Sequence, residues 1–296
     1  MPLSYAALGK RACIEVRGAD AAAFLHGQLS HAVLGLDAAD APLAGWADAR
    51  GRIRALFRVL KLPERWLLVT PRDGADALVK KLRLFVLRSK VEVALADDVA
   101  VAALLGDASG VLARHGAAAE TPANHMVCRD ELCFVRVGER YWQAFGAPSA
   151  LAPLAASLAE ATEAAAALAE IEIGIPEIAP LTTERFVAQM LNLDELGAIS
   201  FDKGCYPGQE IIARVHNLGG VKRRAHRYAV QTAPPAPGTP VHGKGEQEAG
   251  EVVRAAPTAT GSEILAVVDH AAAGAPLTCG GAALAERPLP FEVPRD

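Results

Sequence analysis

The sequence predicts an α+β fold in which two mixed α/β units precede a small C-terminal β-barrel or sandwich. Three observations carry this. Strand-like runs recur through residues 11–69 and again through 132–145. Stretches with helical periodicity sit between those runs, the arrangement expected of helices layered on a sheet. Beyond the chain break "APPAPGTP" the sequence is made of short β-like runs separated by glycines and prolines.

Taken in order, "ACIEVRG" reads as a strand, and Asp20 then caps a helix through "AAAFLHGQL" with Phe24, Leu25 and Leu29 on one side. The segment "LAGWADARGRIRALFRVLKL" is a hairpin around Asp48-Ala49-Arg50-Gly51, whose glycine supplies the positive φ of a tight turn. "RWLLVT" adds a strand, residues 73–87 are helical, and "KVEVAL" and "VAVAALLG" return to strands. In the second unit "LCFVRV" and "RYWQAF" form a hairpin around Gly138, followed by an Ala-rich helix from Pro148 to Glu170. "EVVRAA" and "EILAVVDH" belong to the C-terminal unit. The expected division is residues 1–220 and 221–296.

Composition narrows the function. With 296 residues, 51% hydrophobic and 22% charged, the chain is globular. A net charge of -4 argues against wrapping a polyanion, so nucleic acid is not expected as a direct ligand. The cluster "KRRAHR" at 222–227 reads as a solvated strand start. The N-terminus has no charged region followed by a long apolar run, and no 18 apolar residues run uninterrupted, so a soluble cytoplasmic protein without membrane partners is expected. The five cysteines, Cys13, Cys128, Cys133, Cys205 and Cys279, are scattered and odd in number, so reduced thiols are expected. Cys128 and Cys133 read as strand or core residues. Neither C-x-x-C nor H-x-x-x-H occurs, so no permanently bound metal is expected. "GKGEQE" follows no βα unit, and no phosphate-loop or serine-elbow pattern is present.

The segment "FDKGCYPGQEIIARV", residues 201–215, carries the chemistry. Pro207 suits a first helical position and Gln209 can reach back to the exposed amides, so a helix is expected from about Pro207 to Asn217, capped by Gly219 or Gly220. Cys205 then stands just outside a helix N-terminus with Lys203 nearby, and both favour a thiolate. The alternative is that Cys205 is a small apolar turn residue. Glu210 and Arg214, at i and i+4, read as a surface ion pair.

"KGCYPGQE", residues 203–210, resembles the signature of the YgfZ proteins, folate-binding relatives of the glycine-cleavage aminomethyltransferase, or T-protein. "FLHGQLSHAV", "GWADARGRIRALFRV" and "LNLDELGAISFDKGCY" are similar to further family segments, so the resemblance covers most of the chain. It implies a T-protein-type ring of two ferredoxin-like α/β units and a C-terminal antiparallel β-barrel. It also implies tetrahydrofolate or a derivative as ligand, and a role in assembling or repairing iron-sulfur enzymes, including a tRNA-thiolating one. Those enzymes would be transient partners. Cys205 and Lys203 are carried over as the working pair. Tyr206, Gln209, Glu210, Asp48, Arg50 and Trp46 are expected to meet the folate, by supplying polar partners for the pterin edge, ring walls or a charge for the tail. Asp48 and Arg50 also suit a hairpin turn, and Trp46 a core. The chain departs from the family pattern at Ala32, where an aspartate is common, and at Ala47, where a cysteine often stands. The T-protein's middle segment is replaced by "CFVRVGERYWQAF", with Glu139 as its acid, which makes tetrahydrofolate-dependent aminomethyl or one-carbon transfer the alternative activity.

Overall fold

The structure is a computed structural model and describes residues 2–116, 118 and 120–294. Two compact units divide it: Met1–Gly27, His31–Ala44 and Phe57–Ala166 form the first, and Gln28–Ser30, Gly45–Leu56 and Ala167–Asp296 the second. The second unit therefore joins the C-terminal strands to the signature segment and to the tip of the N-terminal hairpin.

The chain opens with β1 (Ser4–Ala7), β2 (Arg11–Arg17), α1 (Ala21–Gln28), β3 (Leu43–Ala47), β4 (Ile53–Lys61), β5 (Trp66–Pro71), α2 (Ala75–Arg83), β6 (Glu92–Leu95) and β7 (Ala100–Leu105). There follow α3 (Ser109–Arg114), β8 (Met126–Arg129), β9 (Leu132–Gly138), β10 (Tyr141–Gly146), α4 (Pro148–Ser157), β11 (Ala159–Glu160) and α5 (Glu163–Glu172). The last stretch holds α6 (Gln209–Leu218) and strands β12 (Arg223–Val230), β13 (Pro240–His242), β14 (Glu248–Thr258), β15 (Gly261–Asp269), β16 (Thr278–Cys279) and β17 (Ala282–Arg287). One sheet has the order β3-β4-β5-β2-β6 and another the order β11-β1-β7-β10-β9-β8. The C-terminal strands close into a six-stranded barrel, β12-β15-β14-β13-β16-β17. Every pairing given within that barrel is antiparallel.

In the first unit, Phe134, Trp142, Leu104, Leu151 and Leu154 share one core cluster. In the second, Tyr228, Val241, Val252, Ile264 and Leu277 pack together. Two buried ion pairs in this unit fasten the barrel strands to preceding segments. Arg254 Nη2 meets Glu170 Oε2 at 2.6 Å, and Arg224 forks onto Asp194 at 3.0 and 2.9 Å. Removing one partner of such a pair leaves a buried charge unsatisfied and costs about 3–5 kcal/mol.

Three expectations are corrected. The Ala-rich stretch is not one helix: Leu158 turns extended at φ -114, ψ 157, and β11 pairs parallel with β1 before α5 begins. Sheet pairing there outweighs alanine's helix propensity. The helix expected over 73–87 stops at Arg83, leaving Leu84 and Leu87 74% and 88% exposed. Cys128 and Cys133, read as reduced, stand directly opposite one another on β8 and β9 and form a disulfide. A C-x4-C spacing across a tight turn brings two side chains to the same face of a hairpin, and that was the available signal.

Candidate functional site

The signature segment begins on a buried anchor. Ser30 donates through Oγ to the Ala198 carbonyl at 2.6 Å and accepts the Gly45 N–H at 2.8 Å, while Ser200 N donates to the Ser30 carbonyl at 3.0 Å. These bonds tie the chain after α1, β3 and the approach to the signature into one frame. From it Lys203 sends Nζ to the Leu29 carbonyl at 2.6 Å, and the ammonium lies 4.8 Å from the centre of the Tyr206 ring. Tyr206 is 7% exposed. Burial lowers the Lys203 ammonium to about 8 and pushes the Tyr206 hydroxyl up to about 12. The carbonyl and the ring face both favour the charged lysine and so oppose the first shift.

Pro207 and Gly208 form a turn rather than the first helical residues. Gln209 N donates to the Tyr206 carbonyl at 3.2 Å, and Gly208 has φ 80, ψ 0, the third-position geometry of a type II β-turn with proline before it. The helix begins at Gln209, with Gly208 in the cap position and no side chain capping it. Gln209 therefore does not bond back to the amides, and Cys205 stands a full turn of chain away from the helix dipole. At the other end Gly219 has positive φ, but at φ 115, ψ 152 it is not left-handed helical.

The glycine at 208 is set by packing as well as by φ. A Cβ there would lie 2.5 Å from the Asp48 carbonyl oxygen and 2.7 Å from Gly51 Cα. Gly51, at φ 73, closes the N-terminal hairpin, and a Cβ on it would meet Ile211 Cβ at 3.0 Å. Two turns far apart in sequence thus touch backbone to backbone. Asp48 holds its own turn in shape, accepting the Arg50 and Arg52 N–H groups on Oδ1, both at 2.8 Å. Sequence reading found Gly51 as a turn former, but neither the turn at Gly208 nor the contact between the two. Arg54 was also missed: it donates from Nε to Glu184 Oε1 at 2.7 Å, and its guanidinium lies 5.4 Å from the centre of the Trp46 ring.

Between Lys203 and Tyr206 the chain offers Cys205 to solvent. Cys13 and Cys279 are buried, and burial raises their thiols, Cys13 to about 12. Among the described residues, Cys205 is the one exposed free cysteine. Phe201, in the same segment, stacks on His216 of α6, with ring centres 3.8 Å apart. Among the described residues no ion pair joins Glu210 to Arg214; both are exposed. No group of three or more His, Cys, Asp or Glu among the described residues is placed to hold a metal ion.

No family model matches the chain. The tRNA-modifying protein YgfZ of Klebsiella pneumoniae (strain 342) is 32% identical to it over 231 residues, 75% of this chain and 70% of that protein. The chain belongs to the YgfZ family. The corresponding protein of Edwardsiella ictaluri is 31% identical over 234 residues, again covering 75% of this chain and 70% of its own length. Among solved structures, the glycine cleavage system aminomethyltransferase T from Bartonella henselae matches with a TM-score of 0.77 at 19% identity, over 99% of this chain and 87% of that one. That likeness establishes the fold, two mixed α/β sheets with a closed barrel, as a T-protein type.

Within this YgfZ chain the residues expected to meet a folate divide in two. Arg50 and Glu210 are exposed and Gln209 is half-buried. Trp46 is 0% exposed, with Nε1 bonded to Gln28 Oε1 at 3.3 Å, so it has no ring face to offer. Tyr206 is covered from one side by Lys203, and Asp48 has committed Oδ1 to its turn, which leaves Oδ2. The set suits the carboxylate tail and one polar edge of a folate but supplies no aromatic wall.

Proposed function

We propose that this chain is a folate-binding accessory factor in the assembly or repair of iron-sulfur enzymes, with Cys205 as its working group. The observation that carries the reading is the presentation of Cys205: an exposed thiol on a segment pinned at Leu29 by Lys203 and at Asp48–Gly51 by Gly208. A thiol retained merely as a small apolar residue belongs in the interior, where Cys13 and Cys279 lie. Membership of a family whose relatives are named tRNA-modifying proteins supports a place in that machinery. In the proposed role the thiol releases its proton to solvent and its sulfur donates an electron pair to iron of a client enzyme, with no oxidant or reductant consumed.

Folate belongs to the proposal through its polar ends. Arg50 pairs with a tail carboxylate, while Asp48 Oδ2 and Gln209 take the pterin edge; the ring walls come from residues outside this set. Calorimetric titration with tetrahydrofolate tests this half, and Arg50→Ala is expected to weaken binding about fivefold, the worth of one exposed ion pair. The other half is tested by restoring an oxidatively damaged iron-sulfur enzyme with purified protein, where wild type is expected to speed recovery and Cys205→Ser to leave it at the unassisted rate. Methylene-tetrahydrofolate formed from an aminomethyl donor would favour one-carbon transfer instead.

A further inference from the structure

The first unit carries a second sulfur site. Cys128 and Cys133 face each other across β8 and β9, next to the turn at Asp130 and Glu131. Cys128 is exposed and Cys133 half-buried. The bond closes a loop with a sequence separation of only 5 residues, on strands already joined by a ladder from Met126↔Val135 to Arg129↔Leu132. A cross-link over so short a loop removes little chain entropy, so holding the hairpin is a weak reason for it. Exposed disulfides are the ones open to exchange.

Cys133 also lines a cavity of about 250 Å³ whose walls include Leu60, Leu62, Leu67, Val99 and Phe145. Of the charged groups that line it, Arg65 forks onto Asp98 at 3.0 and 2.8 Å, and Glu131 stands exposed at its edge. An apolar recess of this size beside an exposed disulfide suits one aliphatic or aromatic side chain of an incoming peptide.

We propose that Cys128–Cys133 is a thiol–disulfide exchange site for a peptide cysteine that is flanked by an apolar residue, the neighbouring side chain seating in this cavity. The partner thiolate attacks the exposed Sγ of Cys128. The S–S bond breaks, and its electron pair goes to Cys133 Sγ, which takes a proton from solvent. A second partner thiol then attacks the partner sulfur of the mixed disulfide and releases Cys128 as a thiol. In sum, two partner thiols become one disulfide, and the Cys128–Cys133 pair is reduced to two thiols. This proposal does not depend on the function proposed for Cys205.

The test uses the full chain carrying Cys205→Ser, so that the exposed free thiol is absent. The oxidised protein is mixed with excess N-acetyl-leucyl-cysteine amide or N-acetyl-seryl-cysteine amide, and alkylation followed by peptide mass analysis reads the reduced fraction of Cys128 and Cys133. The leucyl peptide is expected to reduce the pair about tenfold faster, as partial burial of its side chain provides. Leu62→Ser, at the half-buried rim of the cavity, should abolish that preference. Equal rates for the two peptides, or a pair that stays oxidised with both, overturns the proposal.

Discussion

Cys205 and Cys128 are both sulfur atoms at the surface, but their surroundings differ in kind. Cys205 has no partner sulfur; the rigidity of its segment comes from neighbours, through the Lys203 ammonium on the Leu29 carbonyl and the Gly208 backbone against Asp48 and Gly51. Cys128 is bonded to Cys133, on a hairpin whose strands are already paired. In the first case contacts of neighbouring residues hold the segment that carries the thiol; in the second the two sulfurs sit on strands already paired by a ladder. The lesson is that packing around a cysteine, rather than the cysteine itself, shows what the structure invests in it.

That contrast can be broken at its strongest point by Gly208→Ala. A Cβ forced to φ 80 and placed 2.5 Å from the Asp48 carbonyl oxygen must push the two turns apart. The expected cost is about 3 kcal/mol or more in urea unfolding. Gly197→Ala is the control, since Gly197 has φ 65 but a Cβ added there would meet nothing within 4 Å, and it should cost only about 1 kcal/mol. Equal losses would mean that the contact between the turns is unimportant. The double variant Cys128→Ser, Cys133→Ser should cost about 2 kcal/mol or less, because the closed loop is short. Asp48→Ala, which frees the Arg50 and Arg52 amides, is expected to lose about 1 kcal/mol.

The smallest effect is in the pH dependence of the signature anchor. Folded Lys203 loses its proton at about 8, whereas an unfolded lysine keeps it to about 10.4, so between these values the unfolded chain binds more protons and stability rises with pH. The Leu29 carbonyl and the Tyr206 ring hold the charge and make that rise shallow. Tyr206 acts in the opposite sense: folded it ionises at about 12 and unfolded at about 10, so stability falls as pH rises between them. Urea midpoints should show wild type gaining on Lys203→Met from pH 8 upward, and losing ground to Tyr206→Phe above pH 10. Parallel curves for wild type and both variants would contradict the buried anchor.

Much of this was legible in the sequence because it is local. The hairpin at Asp48–Gly51 announces itself by an aspartate that bonds its own turn and a glycine with positive φ, and β14 and β15 follow from β-like runs set off by glycines and prolines. The signature marked the family. What escaped was decided at a distance. Pro207-Gly208 fits a helix start and a type II turn equally well on local grounds, and the contact with Gly51 selects the turn. Trp46 and Tyr206 have the residue types of a ligand wall, but the structure gives Trp46 to the interior and sets Tyr206 against Lys203. The Ala-rich stretch was split by strand pairing with β1, which no window of its own residues contains.

The central claim is that Cys205 works through its thiol, and cells lacking this protein provide the direct measurement. Activity of an iron-sulfur-dependent enzyme is compared after restoring wild type or Cys205→Ser, with the variant first shown to unfold within about 0.5 kcal/mol of wild type, as an exposed substitution should. Rescue by wild type and its loss with Cys205→Ser is the predicted result. Full rescue by the serine variant would contradict it and make Cys205 a turn residue.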